Sequence, residues 1–485
     1  MSRSSLSMYA LAAVPALALS GCRDQRAPTG PADGALSASV TPAEQSGRYI
    51  VVFGAERLSA DFAQRVANLG GSVEAALDPI GVAAVTGLTE AAAVELAGEK
   101  GIAYVEPDVM MTLPDDSGEA ADETASEALA PADATASPTT AQFYARQWNM
   151  RAVSADKAWE AGQLGSRDVV VAILDTGIDY LHPDLVGLVD LDRSISFAAT
   201  DSDDAILAQR FPGRRPISDL RGHGTAVAVI VGSNATLLAG VNRDVTLLAV
   251  KIWNRFGQGP LSQLLSGIMY AADHGADVMS VSGTYDRDKS QNPGTVAAVE
   301  RAVNYAFRKG ALLVSIAGND GADLDHNGDR VRLPCEAANA ICVSGTAPTA
   351  AAGATGPWEN VDAPAPYTAF GRSAVDVAAP AGRAVLPIPP TEFRTVWALC
   401  TTTRTEFTFP PCRTGQPVWK SFGTSFSATH TAGLAALLVA QLGHGNPALI
   451  RARILESADD LGEPGTDPFY GKGRINIARA LGLIN

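Results

Sequence analysis

The sequence predicts an α/β fold in which a parallel sheet lies between layers of helices, preceded by a small α+β module. Three observations predict this fold. Apolar strands alternate with helical segments after residue 142, the strands are apolar on both faces, and polar residues follow where strands end. Strands that are buried on both faces belong to parallel sheets covered by helices. In such sheets, ligands bind at the carboxyl ends of the strands.

The larger domain, residues 142–485, contains this alternation. Helices are predicted where apolar residues recur with helical spacing, and strands where they form short unbroken runs. No sequence repeat is present. The predicted strands are 169–174, 245–250, 278–281 and 311–317, and the predicted helices are 261–274, 296–309 and 434–442.

A smaller module is predicted over residues 47–112. Ser59 and Thr89 are the expected N-caps of its two helices, since hydroxyl side chains accept hydrogen bonds from the first helical N–H groups. The order βαββαβ favours a ferredoxin-like α/β sandwich. Its predicted strands are 49–53, 73–77, 82–85 and 102–105.

The N-terminal region predicts export. A short apolar run ends at Leu19-Ser20-Gly21-Cys22, so residues 1–21 are predicted to be a signal peptide. This ending resembles a bacterial lipobox, which implies lipidation of Cys22; an ordinary signal peptide with a chance cysteine is the alternative. The rest of the chain has no uninterrupted apolar run of membrane length, so any anchor would be the lipid alone. Residues 22–46 are a predicted tether, and residues 113–141 a predicted disordered linker.

Charge restricts the partners. The formal net charge is −15, and much of the acidic excess lies in the predicted linker. Nucleic-acid binding needs basic side chains that neutralise phosphates, and the sequence has no such patch. We therefore expect no nucleic-acid partner.

Four cysteines besides Cys22 form two locally spaced pairs, which suits an exported protein. Four cysteines permit three connectivities. We expect Cys335–Cys342 and Cys400–Cys412, because short loops close at the least entropic cost. Buried free thiols are the alternative, and a metal site is disfavoured because no Cys-x-x-Cys spacing is present.

Four polar residues at predicted strand or helix ends form a chemical set. Asp175 and Asn319 directly follow strands, His223 lies in a glycine-flanked turn, and Ser425 precedes an apolar helix. A serine hydroxyl needs a base to become a nucleophile, and histidine titrates near neutral pH. A carboxylate fixes the imidazole tautomer, and an amide N–H can bind an oxyanion. The set predicts acyl transfer.

The segments that carry this set resemble those of the subtilisin-like serine peptidases, in the same order. The resemblance covers roughly 145–485 and implies a three-layer subtilisin-like sandwich and a serine endopeptidase that acts on peptides or proteins. It implies that Asp175, His223 and Ser425 form the triad, that Asn319 supplies the oxyanion amide, and that the chemistry needs no cofactor. The segments are Leu174-Asp175-Thr176-Gly177-Ile178-Asp179, Arg221-Gly222-His223-Gly224-Thr225, Ser315-Ile316-Ala317-Gly318-Asn319-Asp320 and Gly423-Thr424-Ser425-Phe426-Ser427-Ala428-Thr429-His430.

By the same resemblance, the module at 47–112 is similar to the family's inhibitory propeptide. This implies a zymogen whose propeptide, a partner in cis, assists folding, blocks the cleft and is removed by self-cleavage. We expect an exported monomer, anchored in the cell envelope through Cys22 or released from it after propeptide cleavage. The main alternative is a catalytically weak relative that binds peptides or partners at the envelope. An ester hydrolase is disfavoured, because Ser425 lacks a Gly-x-Ser-x-Gly elbow.

The resemblance also implies residues that contact the substrate. Gly283, which ends the 279–283 segment, and Gly318 are expected beside the substrate backbone. Arg332 is expected near the base of the specificity pocket, where it would favour an acidic side chain; a surface arginine is the alternative. Thr429 departs from the family pattern, which has proline there. An insertion over 384–420 is expected at the cleft rim.

Structural calcium is a further implication. Asp184 matches a family calcium ligand, although the loop between Val231 and Gly240 that supplies other ligands is short. A second segment has the oxygen spacing of a calcium loop but lacks the closing glutamate; a solvated acidic turn is the alternative. Its candidate ligands are Asp323, Asp325, Asn327 and Asp329.

Overall fold

A seven-stranded sheet forms the centre of the larger domain in the computed structural model. Every neighbouring pair of its strands is parallel, so all carboxyl ends meet at one edge. This confirms the predicted sheet. Across the sheet, the strands are Val377–Pro380, Ala340–Thr346, Leu312–Ile316, Val278–Val281, Gly165–Asp175, Asp244–Lys251 and Ile195–Ser196.

The structure describes part of the chain. The predicted signal peptide, Cys22 and tether lie outside the described residues, as does most of the predicted linker. All described residues belong to the unit Val40–Asn485. The described residues are 47–113, 119–120, 137–198, 201–384, 388 and 391–484.

Helices cover both faces of the sheet, because alternate side chains of each strand point to opposite sides. Along the strand Gly165–Asp175, Ile173 is buried in one core and Leu174 in the other. The first core includes residues of His223–Val231, Thr424–Leu442 and Pro447–Glu456, and the second includes residues of Leu261–Asp273 and Pro293–Arg308. The other described α-helices are Trp148–Ala152, Ala155–Glu160, Asp201–Arg210, Pro410–Arg413 and Ile477–Ala480. Short strands outside this sheet are Gln258–Pro260, Tyr285–Asp288, Arg330–Leu333, Ala350–Ala351, Trp358–Glu359, Val396–Leu399 and Val418–Ser421.

The small module has the predicted βαββαβ order and an antiparallel sheet. Thr89 caps the second helix as predicted, accepting a hydrogen bond from Ala92 N at 3.2 Å. Ser59 does not cap the first helix, which begins at Phe62, because its hydroxyl is taken by Arg65. In sheet order the strands are Ser72–Leu77, Val82–Thr86, Tyr49–Phe53 and Ile102–Pro107, and the helices are Phe62–Asn68 and Glu90–Ala97.

One face of the module sheet packs against the larger domain. Ile50 and Val82 are fully buried in the core shared with the helices Leu261–Asp273 and Pro293–Arg308. Arg301 of the second helix also donates to the carbonyl oxygen of Phe53, at 2.9 Å. The module therefore lies on the two helices that flank the sheet on this side.

The chain between the module and the larger domain differs from the prediction at both ends. Leu113 is buried, and Pro138–Thr140 forms a 3-10 helix. Gln142 N then donates to Thr236 O at 3.1 Å. The predicted linker of 113–141 is therefore shorter, because apolar contacts and backbone hydrogen bonds hold its two ends.

Both expected disulfides are present. Their Cα atoms lie 4.6 Å apart in Cys335–Cys342 and 5.2 Å apart in Cys400–Cys412, within the range that a disulfide spans. Within the described ranges, no single helix is long and apolar enough to cross a membrane. Thr424–Leu442 and Pro447–Glu456 reach that length and composition only as a pair, with a bend of 117° between them.

Candidate active site

Asp175 and Asn319 lie at the carboxyl edge of the sheet. Asp175 ends the strand Gly165–Asp175, and Asn319 lies just beyond the strand Leu312–Ile316. Only the strand Val278–Val281 separates these two strands. Neighbouring strands are about 4.8 Å apart, so the two strand ends are separated by about 10 Å. The edge therefore brings together a carboxylate and an amide that are distant in sequence.

His223 binds the Asp175 carboxylate. Its Nδ1 lies 2.8 Å from Oδ1 and 2.9 Å from Oδ2, and both side chains are buried. A carboxylate at Nδ1 fixes the proton on that nitrogen, which leaves Nε2 with a lone pair that can accept a proton. The structure thus joins two of the predicted residues in the geometry of a general base and its orienting acid.

Asp219, which the sequence analysis missed, holds the turn before His223. Its fully buried carboxylate accepts hydrogen bonds from Gly222 N at 2.7 Å and from Thr225 N at 2.8 Å. It also accepts from the Thr176 hydroxyl at 2.9 Å, beside Asp175. Burial raises the pKa of Asp219, and the hydrogen bonds from Gly222 and Thr225 oppose that rise. This carboxylate links the backbone around Asp175 to the backbone around His223.

Ser425 lies in the first turn of the helix Thr424–Leu442 and is fully buried. Asn319 Oδ1 accepts hydrogen bonds from Thr424 N at 2.9 Å and from Thr424 Oγ1 at 2.7 Å. These bonds place the start of the serine helix at the same sheet edge as Asp175 and His223. They also orient the Asn319 amide, so that its NH2 group points away from Thr424.

Asn242 links the helix His223–Val231 to the helix Thr424–Leu442. Its side-chain amide donates to Val231 O at 2.9 Å and to Gly433 O at 3.0 Å. Those carbonyls lie eight residues beyond His223 and eight residues beyond Ser425. With both helix starts at one sheet edge, the two helices run side by side, and His223 and Ser425 lie in their first turns.

Thr429 and His430 do not disturb the serine helix. The Thr429 hydroxyl donates to Phe426 O at 2.9 Å, within the helix. His430 is fully buried and contacts Asn149 Nδ2 at 2.9 Å. Burial lowers the pKa of His430 to about 4, and it does the same for His182, so both are packing residues that stay neutral at neutral pH.

Arg332 is neither a surface arginine nor a free cation. It is 4% exposed, and its guanidinium donates to Asp286 at 2.7 Å and to Asp320 at 2.6 Å. Burial alone would lower the pKa of Arg332, but the two carboxylates outweigh burial and raise it. The surface alternative is therefore wrong, and both carboxylates already compensate the charge that would attract an acidic substrate side chain.

Gly318 and Gly283 lie where a side chain has no room. At Gly318, with φ +115°, a Cβ atom would lie 2.3 Å from Arg332 Nη1. At Gly283, a Cβ atom would lie 2.5 Å from the buried ring of Trp253. These glycines let the backbone approach Arg332 and Trp253 closely, and their expected contact with the substrate backbone stays a prediction.

The residues proposed as calcium ligands do not form a cation site. Asp325 accepts from Ser373 N at 3.0 Å, Asp329 accepts from Ser290 N at 2.8 Å, and Asp323 contacts the His326 ring at 2.8 Å. Among the described residues, no group of three or more His, Cys, Asp or Glu residues could hold a metal ion. The loop prediction for Asp323, Asp325, Asn327 and Asp329 is therefore wrong, because Asp325 and Asp329 bind backbone segments outside the loop and Asp323 binds a side chain within it.

Asp184 likewise binds protein groups in place of a metal. Its fully buried carboxylate accepts from Thr236 N at 2.6 Å, Leu237 N at 3.0 Å and the Ser233 hydroxyl at 3.0 Å. Burial raises the pKa of Asp184 to about 6, although these hydrogen bonds act to lower it. The short loop after Val231 closes onto the carboxylate, so this donor set does not fit calcium.

Comparison with known proteins agrees with this geometry. The subtilase family model matches residues 166–473. A thermophilic serine proteinase of Bacillus sp. (strain AK1) is 32% identical over 347 residues, which cover 71% of this chain and 69% of that protein. Thermitase of Thermoactinomyces vulgaris is 30% identical over 350 residues, which cover 71% of this chain and 99% of thermitase.

Solved structures agree on the fold. The epidermin leader peptide processing serine protease of Staphylococcus aureus has a TM-score of 0.66 at 21% identity, and the match covers 90% of this chain and 98% of that one. Fervidolysin of Fervidobacterium pennivorans has a TM-score of 0.64 at 21% identity, and the match covers 90% of this chain and 61% of fervidolysin. The chain belongs to the subtilase family and is a serine-type peptidase.

Proposed function

We propose that this protein is an exported serine endopeptidase in which Ser425 is the nucleophile, His223 the general base, Asp175 its orienting carboxylate and Asn319 the oxyanion donor. The contact of His223 Nδ1 with Asp175, at 2.8 Å, carries the proposal. Cleavage of internal bonds in a mixed peptide library by the processed chain tests it. A processed chain that cuts no internal bond contradicts it.

The proposed reaction runs in two acyl transfers. His223 Nε2 takes the proton of Ser425 Oγ as this oxygen attacks the scissile carbonyl. Asn319 Nδ2 and the Ser425 backbone N–H donate to the resulting oxyanion. His223 then gives its proton to the leaving amine, and water hydrolyses the acyl-enzyme by the same route. Asp175 stabilises the transient imidazolium, and no cofactor takes part.

We also propose that residues up to Leu113 form an inhibitory propeptide. After the module, Met110–Thr112 pairs antiparallel with Gln258–Pro260, and Leu113 N donates to Gly257 O at 2.8 Å. Further along the chain, Glu119–Ala120 pairs with the strand Val418–Ser421, which precedes Ser425. The chain thus contacts the peptidase domain as a strand before and after residues 114–118, and we expect self-cleavage between Leu113 and Glu119.

Two carboxylates at the end of the module support this role. Glu106 accepts from Gly294 N at 2.6 Å and Thr295 N at 2.7 Å, at the start of the helix Pro293–Arg308. Asp108 accepts from Ser262 N at 3.0 Å, at the start of Leu261–Asp273. Negative groups at helix N-termini bind exposed N–H donors and the positive end of the helix dipole. The module thus caps two helices of the peptidase domain.

The double variant Glu106→Gln, Asp108→Asn is expected to bind its cleaved module at least about 100-fold more weakly, because each of the two side chains loses a charge-assisted hydrogen bond that contributes about 1.5–3 kcal/mol. Because the cleaved module then dissociates more readily, peptidase activity should appear earlier in a progress curve and after a smaller dilution of the processed protein. Glu99→Gln is the matched control, since Glu99 pairs with Arg65 inside the module. Equal inhibition in the double variant and the control would contradict the capping role.

Export and lipid attachment are proposed from the N-terminal sequence. The apolar run that ends at Cys22 is the basis, since lipobox cysteines carry the anchor. Cys22→Ser is expected to move the protein from the membrane fraction to the soluble fraction, as judged by immunoblotting. Unchanged retention in the membrane fraction would reject this anchor.

A further inference from the structure

The insertion that contains Cys400 and Cys412 packs against the turn that precedes His223. Its strands Val396–Leu399 and Val418–Ser421 pair as an antiparallel hairpin. The connecting segment between them, residues 400–417, is closed by the Cys400–Cys412 disulfide, and both cysteines are buried. We refer to residues 400–417 as the clamp loop.

The clamp loop donates hydrogen bonds to three successive backbone carbonyl oxygens just before Gly222 and His223. These carbonyl oxygens belong to Asp219, Leu220 and Arg221. Buried carbonyls without partners are costly, so these bonds stabilise this particular turn conformation. The donors are Thr403 Oγ1 and Thr401 Oγ1 to Asp219 O at 2.5 and 2.9 Å, Thr408 Oγ1 to Leu220 O at 2.8 Å, and Phe409 N to Arg221 O at 2.9 Å.

The donors themselves are rigid. Thr401, Thr403 and Thr408 are fully buried, and a β-branched side chain has few χ1 rotamers. The turn that they hold contains Gly222 with φ +105°. Glycine loses more backbone entropy on folding than any other residue, so this conformation needs contacts that hold it in place. A threonine contact at this point therefore limits how the backbone enters His223.

The clamp loop also contacts the imidazole. The ring of Phe409 lies edge-on to His223, with ring centroids 6.3 Å apart. Trp419 supports Phe409 from the hairpin at 5.0 Å, and the Arg221 guanidinium lies over the Phe409 ring at 4.8 Å. Both the backbone before His223 and one side of its ring are thus in contact with the insertion.

A further contact reaches the segment after Asp175. Thr402 N and Thr402 Oγ1 donate to Asp179 Oδ2 at 2.7 and 2.5 Å. Burial would raise the pKa of Asp179, but Arg214 and Thr402 outweigh it and lower the pKa, so this carboxylate accepts as an anion. The clamp loop therefore spans the two segments that carry the carboxylate and the imidazole.

We propose that Thr401, Thr403, Thr408 and Phe409 are positioning residues that hold His223 at the distance and angle that proton transfer needs. The inference rests on the proposed role of His223 as general base. Reacting groups must be held within a fraction of an ångström, and a displacement of 1 Å costs roughly 100-fold in rate. The clamp loop then contributes to turnover through its contacts with the turn before His223 and with the imidazole ring.

Thr403→Val tests the proposal, since valine keeps the shape and removes the shorter of the two hydroxyl bonds to Asp219 O, together with the contact to Thr401 Oγ1. We expect kcat to fall at least tenfold with KM within twofold, because substrate contacts are unchanged. Thr403→Ser should restore kcat to within about twofold. Thr414→Val is the matched control and should behave like the parent, because Thr414 bonds Pro411 O inside the clamp loop and is exposed. A Thr403→Val kcat equal to that of the control overturns the proposal.

Amide hydrogen exchange over residues 219–223 gives a readout that does not depend on peptide hydrolysis. We expect at least tenfold faster exchange in Thr403→Val than in Thr414→Val. If the parent protein cleaves no peptide but Thr403→Val still exchanges faster than Thr414→Val, the proposed function is refuted and the clamp stands. Unchanged exchange overturns the clamp whatever the activity. If Thr403→Val does not fold, Thr408→Val replaces it. This variant removes the hydrogen bond from Thr408 Oγ1 to Leu220 O, and its kcat and amide exchange are measured in the same way.

Discussion

Replacing Ser425 with alanine is expected to lower kcat for peptide hydrolysis about a million-fold, the loss that triad removal causes in subtilisin. The reason is chemical, because no other atom can form the acyl-enzyme once Oγ is gone. Donors that bind the oxyanion would still leave a residual rate about 10³-fold above water. Turnover of an internally quenched peptide measures the loss.

Ser427→Ala is the matched control for this variant. Ser427 lies in the same helix, is equally buried, and donates its hydroxyl to Ala379 O at 2.9 Å. We expect this change to lower stability slightly and to leave kcat within a few fold. Activity of Ser425→Ala within tenfold of the parent would mean that another residue is the nucleophile.

Asp175→Asn is expected to lower kcat about 10⁴-fold with little change in KM. Asparagine is nearly isosteric, but its amide presents N–H where His223 Nδ1 needs an acceptor at 2.8 Å. The imidazole then takes the wrong tautomer, and its protonated form loses the stabilising charge. Steady-state kinetics on the same peptide measure both constants.

The control for this variant is Asp168→Asn, on the same strand. Asp168 is exposed, so the change removes one negative charge without touching the site. We expect kcat close to that of the parent. Equal losses in both variants would point to a general charge effect and would argue against an orienting role for Asp175.

The sequence was sufficient to predict the sheet and the residues at its edge. Unbroken apolar runs predict buried parallel strands, and Asp175 and Asn319 stand directly behind two of them. Parallel strands bring such ends together whatever their distance in sequence. Both disulfides were predicted for a similar reason, because pairs separated by 7 and 12 residues depend on local geometry.

Contacts between distant segments could not be predicted in this way. Asp219 is one carboxylate among many in the sequence, and its role depends on folding next to Thr176, 43 residues earlier. The threonines of the clamp loop are polar residues in an insertion, and they bind carbonyls more than 180 residues away. Such partners become visible only when the chain has folded.

Two segments show that spacing alone does not identify the partner of a charged side chain. Arg332 lies two residues before a proline in a segment that suits either a pocket or the surface, and only the fold shows that Asp286 and Asp320 bind it. The acidic residues after Asp323 have the spacing of calcium ligands. Their carboxylates instead accept hydrogen bonds from Ser290 and Ser373.

Active-site labelling tests the central claim, that Ser425 is activated by His223. Processed protein treated with a fluorophosphonate is expected to gain one phosphonyl group per chain, located on the peptide that contains Ser425 by mass spectrometry. His223→Ala should lose this labelling while remaining folded, because the hydroxyl then lacks its base. Failure of the processed parent to label, or equal labelling of His223→Ala, would contradict the account.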